Sequence, residues 1–422
     1  MRWTFVALVA ACAAAPPRID DAPDGSGAQV DAERHYAIWL GGARVGTARE
    51  AERWSRAGVI LRRTEAMQFR RGEVPIAIAT TIEITADRRL VPSRVTWTEE
   101  ARAVHHGEAV RDATGWTVTG VAGLRWLPRD AIPAELAPLV VRRDGRFAGL
   151  VFLPARGFAA GAGRIEPIAS NRLVARLVLD AGPIAGATAS SDARAEATID
   201  LGDDAMPARI IDGEGVIATR ITAAEAELPF APVDLIAATS IPLGGTPSRH
   251  LVLEGDLTLP PIPGQAAHVV SGGVAVELSA RFAGGLSPGP RGADRTREIA
   301  ALVGRVRRRI VPTLAADPTT PQLAAAATAG DCTTFALAYA ALAGDRAIPT
   351  HVVTGFRVDG DRLVRHRWAV SWTGQAWIAV DPAFGTVRAG GDLVGLAIGA
   401  ADDVGLIGGE AALAHLRAAT WK

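Results

Sequence analysis

Lysine is all but missing from this 422-residue chain: Lys422 stands alone, and every other basic side chain is an arginine. The bias fits a genome rich in Arg and Ala codons, and it leaves the protein almost no side-chain amine of its own. Net charge is missing too, with 45 basic and 45 acidic residues, so no field draws nucleic acid or acidic lipid to the chain. No later segment offers the roughly eighteen uninterrupted apolar residues of a transmembrane helix. Cysteine is limited to Cys12 and Cys332, too few for a disulfide scaffold. What is present is the composition of a folded protein, 49% hydrophobic and 21% charged, at a length that calls for two or three domains.

The chain opens MRWTFVALVAACAAAPPRIDD. Arg2 supplies a short positive region, and residues 3–11 form an apolar stretch too short to span a bilayer. Its end, Val9-Ala10-Ala11-Cys12, has the form of a bacterial lipoprotein cleavage box: an aliphatic residue and two small ones before the cysteine that takes the lipid. The reading is a signal peptide over 1–11, lipidation at Cys12 and a flexible tether over 12–31. An unlipidated secretory peptide, cut among the next alanines, is the alternative. Either way the expectation is an exported protein of the bacterial cell envelope. With lipidation it is held to the membrane through Cys12 and faces the periplasm. Cys332 is then the lone thiol of the mature body, and a lone thiol in an exported protein asks for an explanation.

Residues 32–285 read as a β-rich region. Tyr36, Ile38 and Leu40 alternate with Ala37 and Trp39 before the Gly41-Gly42 turn. Ile76, Ile78, Thr80, Ile82 and Ile84 share one face of a long strand. Turn signals at Asp112, Asp144-Gly145, residues 161–163 and Asp212-Gly213 punctuate further short strands, which implies an antiparallel sheet curved into a half-barrel or folded into a sandwich. The Gly/Pro-dense stretch GGLSPGPRG, 284–292, marks the boundary of the next domain, 293–400. There Ile299, Leu302, Val303, Val306 and Ile310 fall at helical spacing until Pro312, and a second helix follows over 332–343. Three strands come next, over 350–358, 365–372 and 376–382. A helix followed by an antiparallel meander is an α+β layout, with 401–422 as a helical tail.

The chemistry gathers in that second domain. Asp331 has the right side chain to cap the helix, which sets Cys332 in its first turn. The thiolate is the reactive form of cysteine, and the free amides and dipole of a helix N-terminus favour it. The Cys332 amide would also point at a carbonyl attacked there. Such a nucleophile needs a base held in one orientation by a third group. His366 begins one strand and Asp381 ends its neighbour. With a turn at 373–375, residue 372 faces about 376 and 367 about 381, so Asp381 falls within a residue or so of His366. Each residue alone has an ordinary structural reading: a packed cysteine, a strand histidine beside tryptophan, an Asp-Pro turn. Together, in this order and on these elements, they permit a Cys–His–Asp triad. His351 is a base candidate in another register, without an Asp-Pro partner at a matching distance. His105-His106 lacks further ligands at metal spacing and reads as a solvated loop, so no metal or cofactor is called for.

The same residues carry a resemblance. GDCTTFALAYAALAGDRAIPTHVVTGFRV, RHRWAVSW and AWIAVDPAFG resemble the signature blocks of the bacterial transglutaminase-like family, over roughly residues 295–400. The blocks are Gly330-Asp331-Cys332, Ile348-Pro349, His366-Arg367-Trp368, and Trp377 with Asp381-Pro382-Ala383-Phe384-Gly385. The resemblance implies a papain-like fold, with Cys332 as nucleophile, His366 as base and acid, and Asp381 as its orienter. It also implies, through YAIWLGGARVG and PVDLIAATSIPLG, a likeness of the β-rich region to the one preceding this domain in large exported relatives. Two departures border the expected cleft beside Trp368. Thr334-Phe335 stand where the family often has Glu-His, and Arg367 stands where many relatives have Ala. Gln322, ten residues before the cysteine, is a candidate oxyanion donor by analogy with papain-like peptidases.

The functional expectation is a cysteine acyl-transfer enzyme, an amidase, peptidase or transamidase, acting on peptide or protein amides through a thioester. Nearly lysine-free, it would not be its own amine donor. The rival expectation is a non-catalytic envelope lipoprotein whose β-rich region binds a protein or lipid partner.

Overall fold

The computed structural model describes residues 30–101, 104–120, 125–179, 193–212, 215–314, 321–402, 409, 412–413 and 415–422. The leader and Cys12 lie outside the described residues, as does most of the tether. Two compact units divide the chain, one from Met1–Leu179 with Arg194–Asp234, the other from Asp180–Ala193 with Leu235–Lys422.

The described strands of the first unit form one sixteen-stranded sheet of mostly consecutive antiparallel neighbours. Val30–Leu40 pairs with Ala43–Trp54 on one side and Val216–Ile221 on the other. Alternation selects the inner face. Tyr36, Ile38 and Leu40 are buried, as are Ile78, Thr80, Ile82 and Ile84, so the two-residue period read from the sequence is the period of burial. His105 and His106 differ from expectation: they lie in the strand Val104–Arg111, across from Glu99 and Thr98, because their run completes a ladder with Pro92–Glu100.

The inner face also carries charge. Arg34 Nη1 donates to Glu50 Oε1 at 3.2 Å and to Glu52 Oε1 at 2.5 Å. Glu52 is held further by Arg142 at 2.8 Å and by the Trp54 indole N–H at 2.8 Å. Arg63 pairs with Glu65 at 2.7 Å and with Glu50 at 3.5 Å. Buried ions persist only when paired in this way. Glu135 is the exception: its Oε2 is buried without a hydrogen-bond partner, and burial pushes its carboxyl up to about 8. It therefore sits protonated at neutral pH. A folded value above the ordinary one means that its proton stabilises the fold fully below about pH 4.5, a contribution lost as pH rises through 8. Glu135→Gln should flatten that loss, melting above the wild type near about pH 9 with the gap closing toward about pH 5. Parallel melting curves for the two proteins would contradict this assignment.

The second unit holds a ten-stranded sheet with helices packed on it. The division between the units falls at residue 234/235 rather than at 285. The strands His250–Gly255, Gln265–Val270 and Gly273–Leu278, expected with the N-terminal region, pair into this second sheet. Side-chain chemistry explains why. Gln265 donates to the Gly395 carbonyl at 3.1 Å and accepts from its N–H at 2.8 Å. Leu251, Leu253, Val274 and Val276 share a core with Phe356 and Leu363. The Gly/Pro stretch 284–292 is a strap within the unit. Its carbonyls at Ser287 and Pro290 accept from the indole N–H groups of Trp377 and Trp372, at 2.8 and 2.7 Å. The C-terminal tail, expected helical, ends in the strand Leu416–Trp421, which pairs with His250–Gly255 on one edge and Ile241–Gly244 on the other.

Candidate active site

Cys332 opens the helix Cys332–Gly344. Its N-cap is Asp331, in extended conformation, whose Oδ1 accepts from the amides of Thr333 at 3.0 Å and Thr334 at 3.3 Å. The helix is apolar all round because it is covered on two sides. Phe335, Ala338 and Tyr339 pack with the helix Thr296–Arg309 and with Ala369, Ile378 and Val380 of the sheet. Ala336, Leu337 and Ala340 pack with Val352 and Ala324. Tyr339 also bonds Ser371 Oγ at 2.8 Å, fixing the helix to the strand below. Cys332 itself is a free thiol and half-buried.

The approach to this helix is sterically specified at Gly330. It is buried, and a Cβ there would run into the Thr334 side chain one turn on. Gly330→Ala is expected to cost about 1–3 kcal/mol of stability, the scale of an overpacked site. A variant undiminished in denaturant melts would show that the N-cap turn tolerates a side chain.

The strand Arg362–Trp372 carries His366, and Trp377–Asp381 ends in Asp381. Trp372 pairs with Trp377 and Ala369 with Val380, so continuing the ladder sets Asp381 across from Trp368. The hairpin loop is one residue longer than the sequence reading, because Thr373 closes it by accepting from Gln375 and Ala376 on its Oγ1. That residue matters. Directly opposed residues share a face, so the register read from sequence would have put Asp381 on the face of Arg367. The observed register puts it with His366.

On the edge away from Thr350–Asp359, Arg362–Trp372 has two partners. Ile241–Gly244 pairs at Arg362 and Leu363, and Trp377–Asp381 pairs from Ala369 to Trp372. Between them, among the described strands, residues 364–368 have no ladder partner, and His366 is the middle one. Its Nε2 meets Asp381 Oδ2 at 2.8 Å. With that nitrogen engaged, Nδ1 is left for the Cys332 thiol, which is within hydrogen-bonding reach of the ring. Asp381 Oδ1 accepts from the amides of Ala383 at 3.1 Å and Phe384 at 3.3 Å, which fixes the carboxylate. Burial of the imidazole works against its charged form, but the Asp381 hydrogen bond and Cys332 outweigh it and push the ring up to about 10.

The residues expected to line the cleft sit beneath it. Thr334, Phe335, Arg367 and Trp368 are all at most 5% exposed. Phe335 belongs to the helix core and Trp368 lies under His366, its ring stacked at 6.0 Å. Arg367 faces away from His366 and clamps the helix tip, donating from Nη1 to Thr333 Oγ1 at 3.1 Å and from Nε to Thr354 Oγ1 at 3.0 Å. Strand alternation explains the split: 366 and 368 share one face, 367 the other. His351 lies against Trp377 at 5.2 Å. Gln322 falls in the helix Pro321–Ala326, but its side chain lies outside the described residues. Among the described residues no group of three or more His, Cys, Asp or Glu could hold a metal ion. Phe384, which meets the imidazole edge-to-face at 5.6 Å, has no expected role beyond its place in the 381–385 block, and Arg357, 3.8 Å from Asp381 and lying over the Phe384 ring, is not among the expected site residues. A register count would place Arg357 on the His366 face, but the exposure of Phe384 has no sequence signal.

Residues 279–382, the span that contains Cys332, His366 and Asp381, match the model of the transglutaminase-like superfamily. Comparison with curated proteins and with solved structures found no match for the chain.

Proposed function

From the premise of a transglutaminase-like domain at residues 279–382, we propose that the protein is a cysteine acyl-transfer enzyme acting on peptide or protein amides. The observation that carries this reading is the buried His366 Nε2–Asp381 Oδ2 bond of 2.8 Å, with the Cys332 thiol at the same ring and at a capped helix N-terminus.

In this reading the Cys332 thiolate forms a bond to the amide carbon, and the carbonyl electron pair moves onto oxygen. Asp331 occupies the amides of Thr333 and Thr334, so the first-turn amide left for that oxyanion is the one on Cys332. Collapse breaks the C–N bond, and the imidazolium of His366 gives its proton to the departing amine. A thioester on Cys332 remains. Water or an amine then adds, His366 takes its proton, and the thiolate leaves. Asp381 holds Nε2 throughout and offsets the ring charge. A helix packed against an antiparallel sheet, with cysteine on the one and histidine and aspartate on the other, supports a papain-like arrangement. The leader with Val9-Ala10-Ala11-Cys12 supports export and a lipid anchor at Cys12, and hence an envelope location with peptide or protein substrates. The test is release of ammonia, or incorporation of a fluorescent primary amine, from a glutamine-containing peptide. Wild type should show one or both and Cys332→Ser neither; equal signals would overturn the proposal.

A further inference from the structure

Beyond Asp381 the chain runs Pro382-Ala383-Phe384-Gly385, and Phe384 is 53% exposed. A lone exposed apolar ring is ordinary. This one is anchored from several sides. Its N–H donates to Asp381 Oδ1, and its carbonyl accepts from Arg307 Nη1 at 3.1 Å. Gly385, with φ +73°, is the residue that lets Arg307 in, since a Cβ there would strike the guanidinium. Arg357 lies over the ring at 3.5 Å from its centroid, and His366 meets it edge-to-face at 5.6 Å. Arg357 is itself braced by Asp392 at 2.9 Å and Asp381 at 3.8 Å, so carboxylates offset its charge and the ring is what the loop presents. Phe335, Tyr339 and Phe356 are buried, whereas Phe384 is an exposed ring in contact with the imidazole.

We propose that Phe384, backed by Arg357, is the specificity wall of the site: it receives an apolar side chain of the peptide substrate next to the attacked amide. This rests on the reading of Cys332 and His366 as the reacting pair. A substrate carbonyl on Cys332 must lie within reach of His366, and Phe384 touches that same ring. A fixed aromatic surface binds with little ordering cost, because clamps on its amide, its carbonyl and one ring face already hold it. The preference is therefore for apolar bulk, with the charge on Arg357 acting through the ring's position.

The test alkylates Cys332 in the full-length protein with two acetyl-dipeptide chloromethyl ketones, Ala-Leu and Ala-Ser, which differ only in the side chain beside the ketone. In each case the sulfur–carbon bond forms as chloride leaves. Iodoacetamide, which carries no side chain, is the reference. Wild type should favour the Leu over the Ser reagent by about tenfold, the scale of a pocket contact. Phe384→Ala should bring that ratio close to one. Phe384→Gln, which keeps a long side chain but removes the apolar ring, should do the same, and Phe384→Leu should keep part of the preference. A wild-type ratio near one, or a wild-type ratio retained in Phe384→Ala and Phe384→Gln, overturns the proposal while leaving Cys332 as nucleophile. Failure of iodoacetamide to modify Cys332 overturns the reading of the reacting pair and this proposal with it.

Discussion

Cys332→Ala is expected to remove turnover of peptide amides, a loss on the order of 10⁴-fold or more in kcat/KM, the scale seen when a nucleophile is deleted. The sulfur is the atom that forms the bond, and neighbouring hydroxyls are poor substitutes. Thr334 is buried and Thr333 Oγ1 already accepts from Arg367. The change removes one partly exposed atom, and the helix cap, which belongs to Asp331, stays in place. Circular dichroism and the melting temperature of the variant should therefore match the wild type closely. A fully folded Cys332→Ala protein that still turned over amides would end the acyl-transfer reading.

The second large effect belongs to His366. His366→Ala should lower kcat/KM by about 10²–10⁴-fold, the range associated with general acid–base help. The pH profile gives the sharper readout. The ring is held protonated up to about 10, so the acid that delivers a proton to the leaving amine is depleted only as pH rises through that value. Wild-type activity should show an alkaline limb there that the variant lacks. Stability should follow the same sign. The folded value lies above the ordinary 6.5, so the contribution of this proton is complete below about 6.5 and is lost as pH rises toward 10. A limb near 6.5 in the wild type would mean that Asp381 and Cys332 do not hold the imidazolium.

Much of this site was legible in the sequence because its signals are local. Asp331 before an apolar run is an N-cap by side-chain chemistry, and the structure shows its carboxylate on the next two amides. Strand alternation placed His366 and Trp368 on one face and Arg367 on the other. The failures share a cause, which is that tertiary partners decide what local pattern leaves open. One residue in the 373–376 loop, set by Thr373, moves Asp381 from the face of Arg367 to that of His366. The strap at 284–292 has the composition of a linker, yet the indole N–H groups of Trp372 and Trp377 draw its carbonyls onto the sheet. Leu416–Trp421 reads as a helical tail until two strands offer it a ladder. The expected cleft residues neighbour Cys332 and His366 in sequence, at positions that depart from or belong to the family blocks. Adjacency along a helix or strand says nothing of exposure, and packing buried all four.

The proposed acyl transfer passes through a covalent intermediate, which intact-protein mass spectrometry detects. The purified protein is mixed with the p-nitrophenyl ester of a short acylated peptide and quenched in acid within the first turnovers. The expected result is an adduct of the acyl mass, mapped to Cys332 by peptide analysis, absent from Cys332→Ala and longer-lived in His366→Ala, where no imidazole deprotonates the incoming water. Ester consumption without an adduct on Cys332, or the same adduct in Cys332→Ala, would contradict it.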